Sequence, residues 1–158
     1  ICWRLVGSEM CIRDRIEMKR ILFAISTVFF ANTISAATFE VEMLNRLGKE
    51  SMVYSQSVVN IQPGDTVKWL ATTKGHNVQF LTVPEGVGSF RSKLNVDTEY
   101  TFTVPGIYLY QCTPHKNMGM IAVVVVGGNK DNLNAITSSR VAGKSKQRLA
   151  KIIEILNS

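Results

Sequence analysis

The sequence predicts a mainly β protein, a Greek-key β-sandwich followed by one or two C-terminal α-helices. Three observations lead there. Short apolar segments recur between Gly- and Pro-containing turns from residue 39 to residue 126. A single apolar stripe at helical spacing stands at the C-terminal end. With 46% hydrophobic and 19% charged residues, the 158-residue chain falls among folded globular proteins and outside the disordered class.

In the first segment Phe39, Val41 and Met43 alternate with Glu40, Glu42 and Leu44, which predicts an edge strand with one buried face. Ser57 to Gln62 and Thr66 to Ala71 flank Pro63-Gly64-Asp65, a turn in which Pro presets φ and Gly accepts a positive φ. Asn77 to Val83, Glu99 to Val104, Ile107 to Gln111 and Gly119 to Val126 supply further short strands, with Pro105-Gly106 turning one into the next. Trp69, Phe102, Tyr108 and Tyr110 read as core or sheet-face residues, because aromatic side chains favour strands whatever the function. After Gly127-Gly128, residues 131–139 predict a short helix and Gly143 a break. Leu149, Ile152, Ile153 and Leu156 then fall at i, i+3, i+4 and i+7, while Lys144, Lys146, Arg148 and Lys151 cover the other faces. So narrow a stripe suits a helix docked on the sandwich better than one lying on lipid.

The N-terminal part stands apart from this pattern. Met18-Lys19-Arg20, the apolar run Ile21 to Phe30, and Asn32-Thr33-Ile34-Ser35-Ala36-Ala37 have the charged, hydrophobic and small-residue regions of a secretory signal peptide, cut after Ala36 or Ala37. The apolar run is too short for a membrane span. Residues 1–17 precede this natural start without period or cap and read as non-native upstream translation. The expected organisation is 1–17 upstream, 18–36 signal peptide, 37–127 sandwich and 128–158 a helical extension packed on it. The leader implies export, with no membrane attachment in the mature form.

Residues 1–36 carry five of the 18 Lys/Arg and three of the 12 Asp/Glu, so the remaining chain has a net charge of +4. That excess is small and scattered, and no nucleic-acid recognition motif accompanies it. It suits an acidic protein partner. Cys2 and Cys11 leave with the leader, so the mature chain keeps Cys112 alone and forms no internal disulfide. An exported protein must hide or use such a thiol, because oxidation threatens it.

Cys112 opens Cys112-Thr113-Pro114-His115-Lys116-Asn117-Met118-Gly119-Met120, and the other histidine, His76, lies in Lys74-Gly75-His76-Asn77. Two His, one Cys and one Met make the donor set of a blue-copper centre, with three strong ligands in a plane and a weak thioether on the axis. The chain has only two histidines, and this one site would use both. Thiolate, imidazole and thioether suit both Cu(I) and Cu(II), so the site would change valence with little movement. Zinc also takes Cys and His, but thioether is a poor zinc ligand and the paired, short-spaced cysteines of structural zinc sites are missing. Spacing alone allows either Met118 or Met120 as the axial donor. No histidine is left for a Ser-His-Asp arrangement and no phosphate-cradling glycine motif occurs, which argues for an electron carrier and against an enzyme.

Gly75-His76-Asn77-Val78, Cys112-Thr113-Pro114-His115 and Met118-Gly119-Met120 resemble the pseudoazurins, periplasmic blue copper proteins of the cupredoxin fold. Met43-Leu44-Asn45, Pro63-Gly64-Asp65-Thr66-Val67, Val83-Pro84-Glu85-Gly86 and Pro105-Gly106 extend the likeness from Phe39 to the helical tail. The resemblance implies one copper ion, held by His76, Cys112, His115 and Met120. It leaves Met118 in the apolar surface around His115. It also implies that the Asn77 N–H donates to the Cys112 sulfur and that the Asn77 side chain is tied toward Asn45; both asparagines also read as ordinary turn residues. Pro114 has no N–H and gives the thiolate no donor. His115 becomes the exit for electrons, framed by Pro114, Met118 and Gly119, with Arg46, Lys74, Lys93 and Lys116, and Arg91 beside them, as a positive rim. The implied partners are redox proteins, nitrite reductase and c-type cytochromes, meeting a monomeric carrier in a transient interface. The rival function is a copper-binding module that buffers or delivers metal without carrying electrons.

Overall fold

The computed structural model describes residues 35–158. The expected upstream segment, 1–17, and the expected signal peptide as far as residue 34 lie outside the described residues. Among the described residues there are eight strands: β1 (Thr38–Leu47), β2 (Glu50–Tyr54), β3 (Val58–Ile61), β4 (Thr66–Leu70), β5 (Gln79–Thr82), β6 (Thr98–Thr101), β7 (Gly106–Gln111) and β8 (Ile121–Val126). Two helices follow, α1 (Leu133–Thr137) and α2 (Lys144–Asn157). The strands form two four-stranded sheets, ordered β2-β1-β4-β6 and β3-β8-β7-β5. β1 runs parallel to β4 and β3 parallel to β8, while every other pair is antiparallel. The result is the expected β-sandwich with a helical tail.

One strand sits differently from its expected place. β1 is an interior strand, not an edge, because β2 pairs with it on the side away from β4. The two-residue turn Gly48-Lys49 joins them, with Leu47 opposite Glu50 and Gly48 at φ +61. A glycine at the first position of a two-residue hairpin matches the right-handed twist of its strands. Apart from that glycine, β2 has no strong alternation to announce it.

At the start of β1 the buried carboxylate of Asp65 accepts the N–H of Ala37 at 2.7 Å and that of Gln62 at 2.8 Å. It thereby fastens the start of the sandwich to the Pro63-Gly64 turn and satisfies the charge that burial would otherwise penalise.

Between the sheets lie Val41, Met43, Val67, Trp69, Phe102, Tyr108, Tyr110 and Val124, all buried. The opposite faces of β7 and β8 are buried as well. Ile107, Leu109, Ile121, Val123 and Val125 pack under Ile136 of α1 and Leu149, Ile152 and Leu156 of α2. That double burial explains why β8 reads Ile-Ala-Val-Val-Val-Val without alternation. Each large apolar side chain that α2 buries stabilises the docked helix by about 2 kcal/mol.

Candidate metal centre

Two loops at one end of the sandwich meet over its core. The first leaves β4 and carries His76 ahead of β5; the second joins β7 to β8 and carries Cys112, His115 and Met120. Cys112 stands immediately after the last residue of β7, so the strand fixes where its sulfur lies. The second loop is a tight coil: the His115 N–H donates to Cys112 O at 3.2 Å, Met118 N–H to His115 O at 2.9 Å and Cys112 N–H to Met120 O at 2.9 Å. Those bonds bring Cys112 and Met120 face to face across a nine-residue segment.

The donor atoms converge. Cys112 Sγ lies 3.7 Å from His76 Nδ1 and 3.4 Å from His115 Nδ1, and one ligand atom from each residue falls within 4.8 Å of the others. Two donors bonded to one ion at about 2.05 and 2.3 Å, and about 120° apart, stand roughly 3.8 Å from each other. The observed separations therefore fit a shared ion. His76, Cys112 and Met120 have no exposed surface, and His115 is half-buried. Together the four residues form a cupredoxin-like ligand set around the site of one copper ion.

Local chemistry prepares these atoms. Burial pushes the His76 imidazole below the ordinary value of 6.5, helped by neighbouring His115, and burial alone lowers His115. Both rings are thus neutral at pH 7, the form in which imidazole binds a metal. His76 Nε2–H donates to Asn45 Oδ1 at 2.8 Å and is shared with Thr73 Oγ1 at 3.1 Å, which leaves the Nδ1 lone pair facing the sulfur. Thr73 is held in turn: its hydroxyl donates to Met43 O at 3.1 Å and accepts the Asn45 N–H at 2.9 Å. For Cys112, burial pushes the thiol above 9.0, while the backbone N–H groups of Asn77 and His115 oppose that rise.

Two expectations need correction. The Asn77 side chain does not reach Asn45. It turns toward the exit of β7, where Oδ1 accepts the Thr113 N–H at 2.8 Å and Nδ2 donates to Thr113 Oγ1 at 3.2 Å. Each asparagine braces a different ligand: Asn45 the outer nitrogen of His76, Asn77 the segment that leaves Cys112. Gly119 is not part of the surface around His115. It is buried, and a Cβ there would touch Lys144 and Arg148 of α2. Pro114 and Met118 are exposed as expected, Met118 at 42%.

Arg46, Lys74, Lys93 and Lys116 are all exposed. Among the described residues the single salt bridge is Arg148–Glu50, so these four cations are unpaired. Sequence reasoning missed Thr73, and it missed Asn95, whose N–H donates to His76 O at 3.0 Å and whose side chain accepts the Gly75 N–H. Leu94 and Val96, which flank Asn95, are half exposed. Only the positive φ of Asn95, 61°, hints at a constrained position, and asparagine's tolerance of that region is a weak signal in a sequence.

A family model of copper binding proteins, plastocyanin/azurin family, matches residues 41–127. A pseudoazurin of Paracoccus pantotrophus is 41% identical over 116 residues, which cover 72% of this chain and 80% of that protein. A pseudoazurin of Methylorubrum extorquens is 37% identical over 136 residues, covering 82% of this chain and 92% of that one. Among solved structures, a pseudoazurin from Sinorhizobium superposes with a TM-score of 0.74 at 39% identity, covering 77% of this chain and 98% of its own. Sequence, fold and converging donors agree, and the chain belongs to the plastocyanin/azurin family of copper-binding proteins, within its pseudoazurins.

Proposed function

We propose that this protein carries single electrons between redox proteins of the periplasm, with copper held by His76, Cys112, His115 and Met120. The observation that carries the reading is the asymmetry of burial among the strong donors: His76 and Cys112 are sealed, while His115 has an edge at the surface. Bound copper supplies a one-electron Cu(I)/Cu(II) couple. The protein excludes water from the sulfur, keeps both imidazoles neutral, and fixes His76 through Asn45 and Thr73. Cys112 gives up its thiol proton when metal binds, and the N–H groups of Asn77 and His115 stabilise the resulting charge.

Around His115, exposed Pro114 and Met118 offer apolar contact, and Arg46, Lys74, Lys93 and Lys116 supply positive charge. Such rim charges steer an acidic partner and raise the association rate more than the affinity. Nitrite reductase and c-type cytochromes are the partners this reading names, in a denitrifying electron chain, reached by a protein exported through the leader at residues 18–36. A copper-delivery module would hold its metal in exchangeable, exposed donors, and three buried ligands argue against that.

The test is direct. The purified copper-loaded protein should show intense absorption at the red end of the visible spectrum and a reversible one-electron wave. A colourless or electrochemically silent copper form would refute electron carriage. Stopped-flow mixing with nitrite reductase should give a rate that falls with ionic strength; a rate indifferent to salt would remove the role assigned to the four cations.

A further inference from the structure

The His115–Met120 segment is not shaped by its own bonds alone, because α2 lies against it and donates to three of its carbonyls in succession. The Ser145 hydroxyl donates to Lys116 O, the Lys144 N–H to Asn117 O at 2.9 Å, and the Arg148 Nη1–H to Gly119 O. The same Arg148 nitrogen reaches Met52 O at 3.2 Å, and Nη2 pairs with Glu50 at 3.2 Å. One guanidinium thus joins the helix, the β1–β2 hairpin and the residue preceding Met120. Fit is close at both ends of this contact. Ser145 has no exposed surface, and a Cβ at Gly143 would overlap Asn117 O. A helix required only to cover the second sheet needs Leu149, Ile152 and Leu156, none of which touches the loop through a hydrogen bond. The polar contacts form a separate set, directed at the backbone between two ligands.

We infer that Arg148 and Ser145 are positioning residues of the copper centre, which hold the backbone between His115 and Met120 and so fix where the exposed imidazole and the thioether stand. The inference rests on the assignment of those two residues as ligands. Arg148 acts as a fork: its planar donors serve the Gly119 carbonyl on the β7–β8 loop, the Met52 carbonyl within β2 and the Glu50 carboxylate, a geometry that a lysine ammonium does not reproduce. Ser145 acts as a single buried donor, and its replacement by Ala leaves Lys116 O without that bond while changing little volume.

The experiment compares wild type, Ser145→Ala, Arg148→Ala, Arg148→Lys and the surface control Lys151→Ala, each copper-loaded. Readouts are the visible spectrum and electron paramagnetic resonance of the oxidised form, the reduction potential, and the rate of copper loss to a chelator, alongside the thermal midpoint. Ser145→Ala and Arg148→Ala should lose copper about tenfold faster and change both the spectrum and the potential, as substitution of groups that orient metal ligands commonly does. Arg148→Lys should stay closer to Arg148→Ala than to wild type, and Lys151→Ala should match wild type. A lower thermal midpoint with unchanged spectrum, potential and copper loss would overturn the inference and leave Arg148 and Ser145 as structural fasteners. Full recovery in Arg148→Lys would overturn it too, because charge and not the fork would then suffice. A wild-type protein without the blue copper spectrum would instead refute the ligand assignment on which the inference rests.

Discussion

His76 has two ring nitrogens and a separate partner for each. Nδ1 faces the Cys112 sulfur, while Nε2–H is occupied by Asn45 Oδ1 and Thr73 Oγ1. Truncating Asn45→Ala removes the shorter of those bonds and frees the ring to tilt, so copper affinity should fall about tenfold in chelator competition. Unchanged affinity would transfer the bracing role to Thr73. Met118 and Met120 separate at the same scale, because Met120 is fully buried and Met118 is 42% exposed. Met120→Leu should alter the oxidised spectrum and raise the reduction potential, since the soft axial donor is lost. Met118→Leu should leave both unchanged and slow only the reaction with the partner protein. Identical spectra for Met120→Leu and wild type would reverse the assignment. His76, Cys112 and His115 were legible in the sequence because His, Cys and Met in this arrangement suit few chemistries, whereas the choice of Met120 over Met118 came only from the family resemblance. Thr73 and Asn95 were not legible, because a threonine and an asparagine in loops have many ordinary uses, and only the fold brings them to His76.

Among the elements, α1 shows how a side chain can stand in for a strand. Asn132, at its N-terminal boundary, accepts the Ile107 N–H through Oδ1 at 2.9 Å and donates from Nδ2 to Ile107 O at 2.8 Å. Ile107 is fully buried and lies beyond the reach of β5, whose pairing with β7 runs from Gln111 to Leu109. Asn132→Ala would leave a buried donor and a buried acceptor unpaired, at about 1–3 kcal/mol each. The expected outcome is a fall in stability of about 2–4 kcal/mol by denaturant unfolding, with the copper spectrum unchanged. A loss below about 1 kcal/mol would mean that solvent replaces the amide. Element type followed the local pattern: the Pro-Gly turns, the alternation in β1 and the stripe of α2 all announced themselves. Neighbours did not, and β1 proved interior because β2, announced by little more than Gly48, pairs with its free edge.

For the whole molecule, the ionisable groups that would surround the metal set how the metal-free protein responds to pH. His76 and His115 have folded pKa values below the ordinary 6.5 because burial disfavours their charged forms. The unfolded chain therefore takes up protons first as pH falls. Their contribution to stability is complete above about pH 6.5 and is lost as pH drops through the folded values. Cys112 behaves in the opposite sense. Its folded value lies above the ordinary 9.0, so the unfolded thiol ionises first as pH rises, and stability falls from about pH 9 upward. The buried phenols of Tyr54 and Tyr110 are raised by burial as well, as is Tyr108, pushed up to about 12, and all three steepen the alkaline loss above pH 10. Metal-free protein should thus show a stability maximum between these limits, read as thermal midpoint against pH. Copper changes the acidic and alkaline limbs together, because it holds both imidazoles neutral and the sulfur as thiolate. The loaded protein should be more stable throughout, by an amount set by free copper concentration and affinity, and because binding releases the thiol proton that the unfolded chain keeps until about pH 9, its stability at fixed free copper should climb with pH between about 6.5 and 9, where that of the metal-free protein is level. A metal-free profile with no fall below about pH 6.5 and none above about pH 9 would show that the two histidines and the thiol are solvated, and the sealed site inferred from burial would not exist in solution.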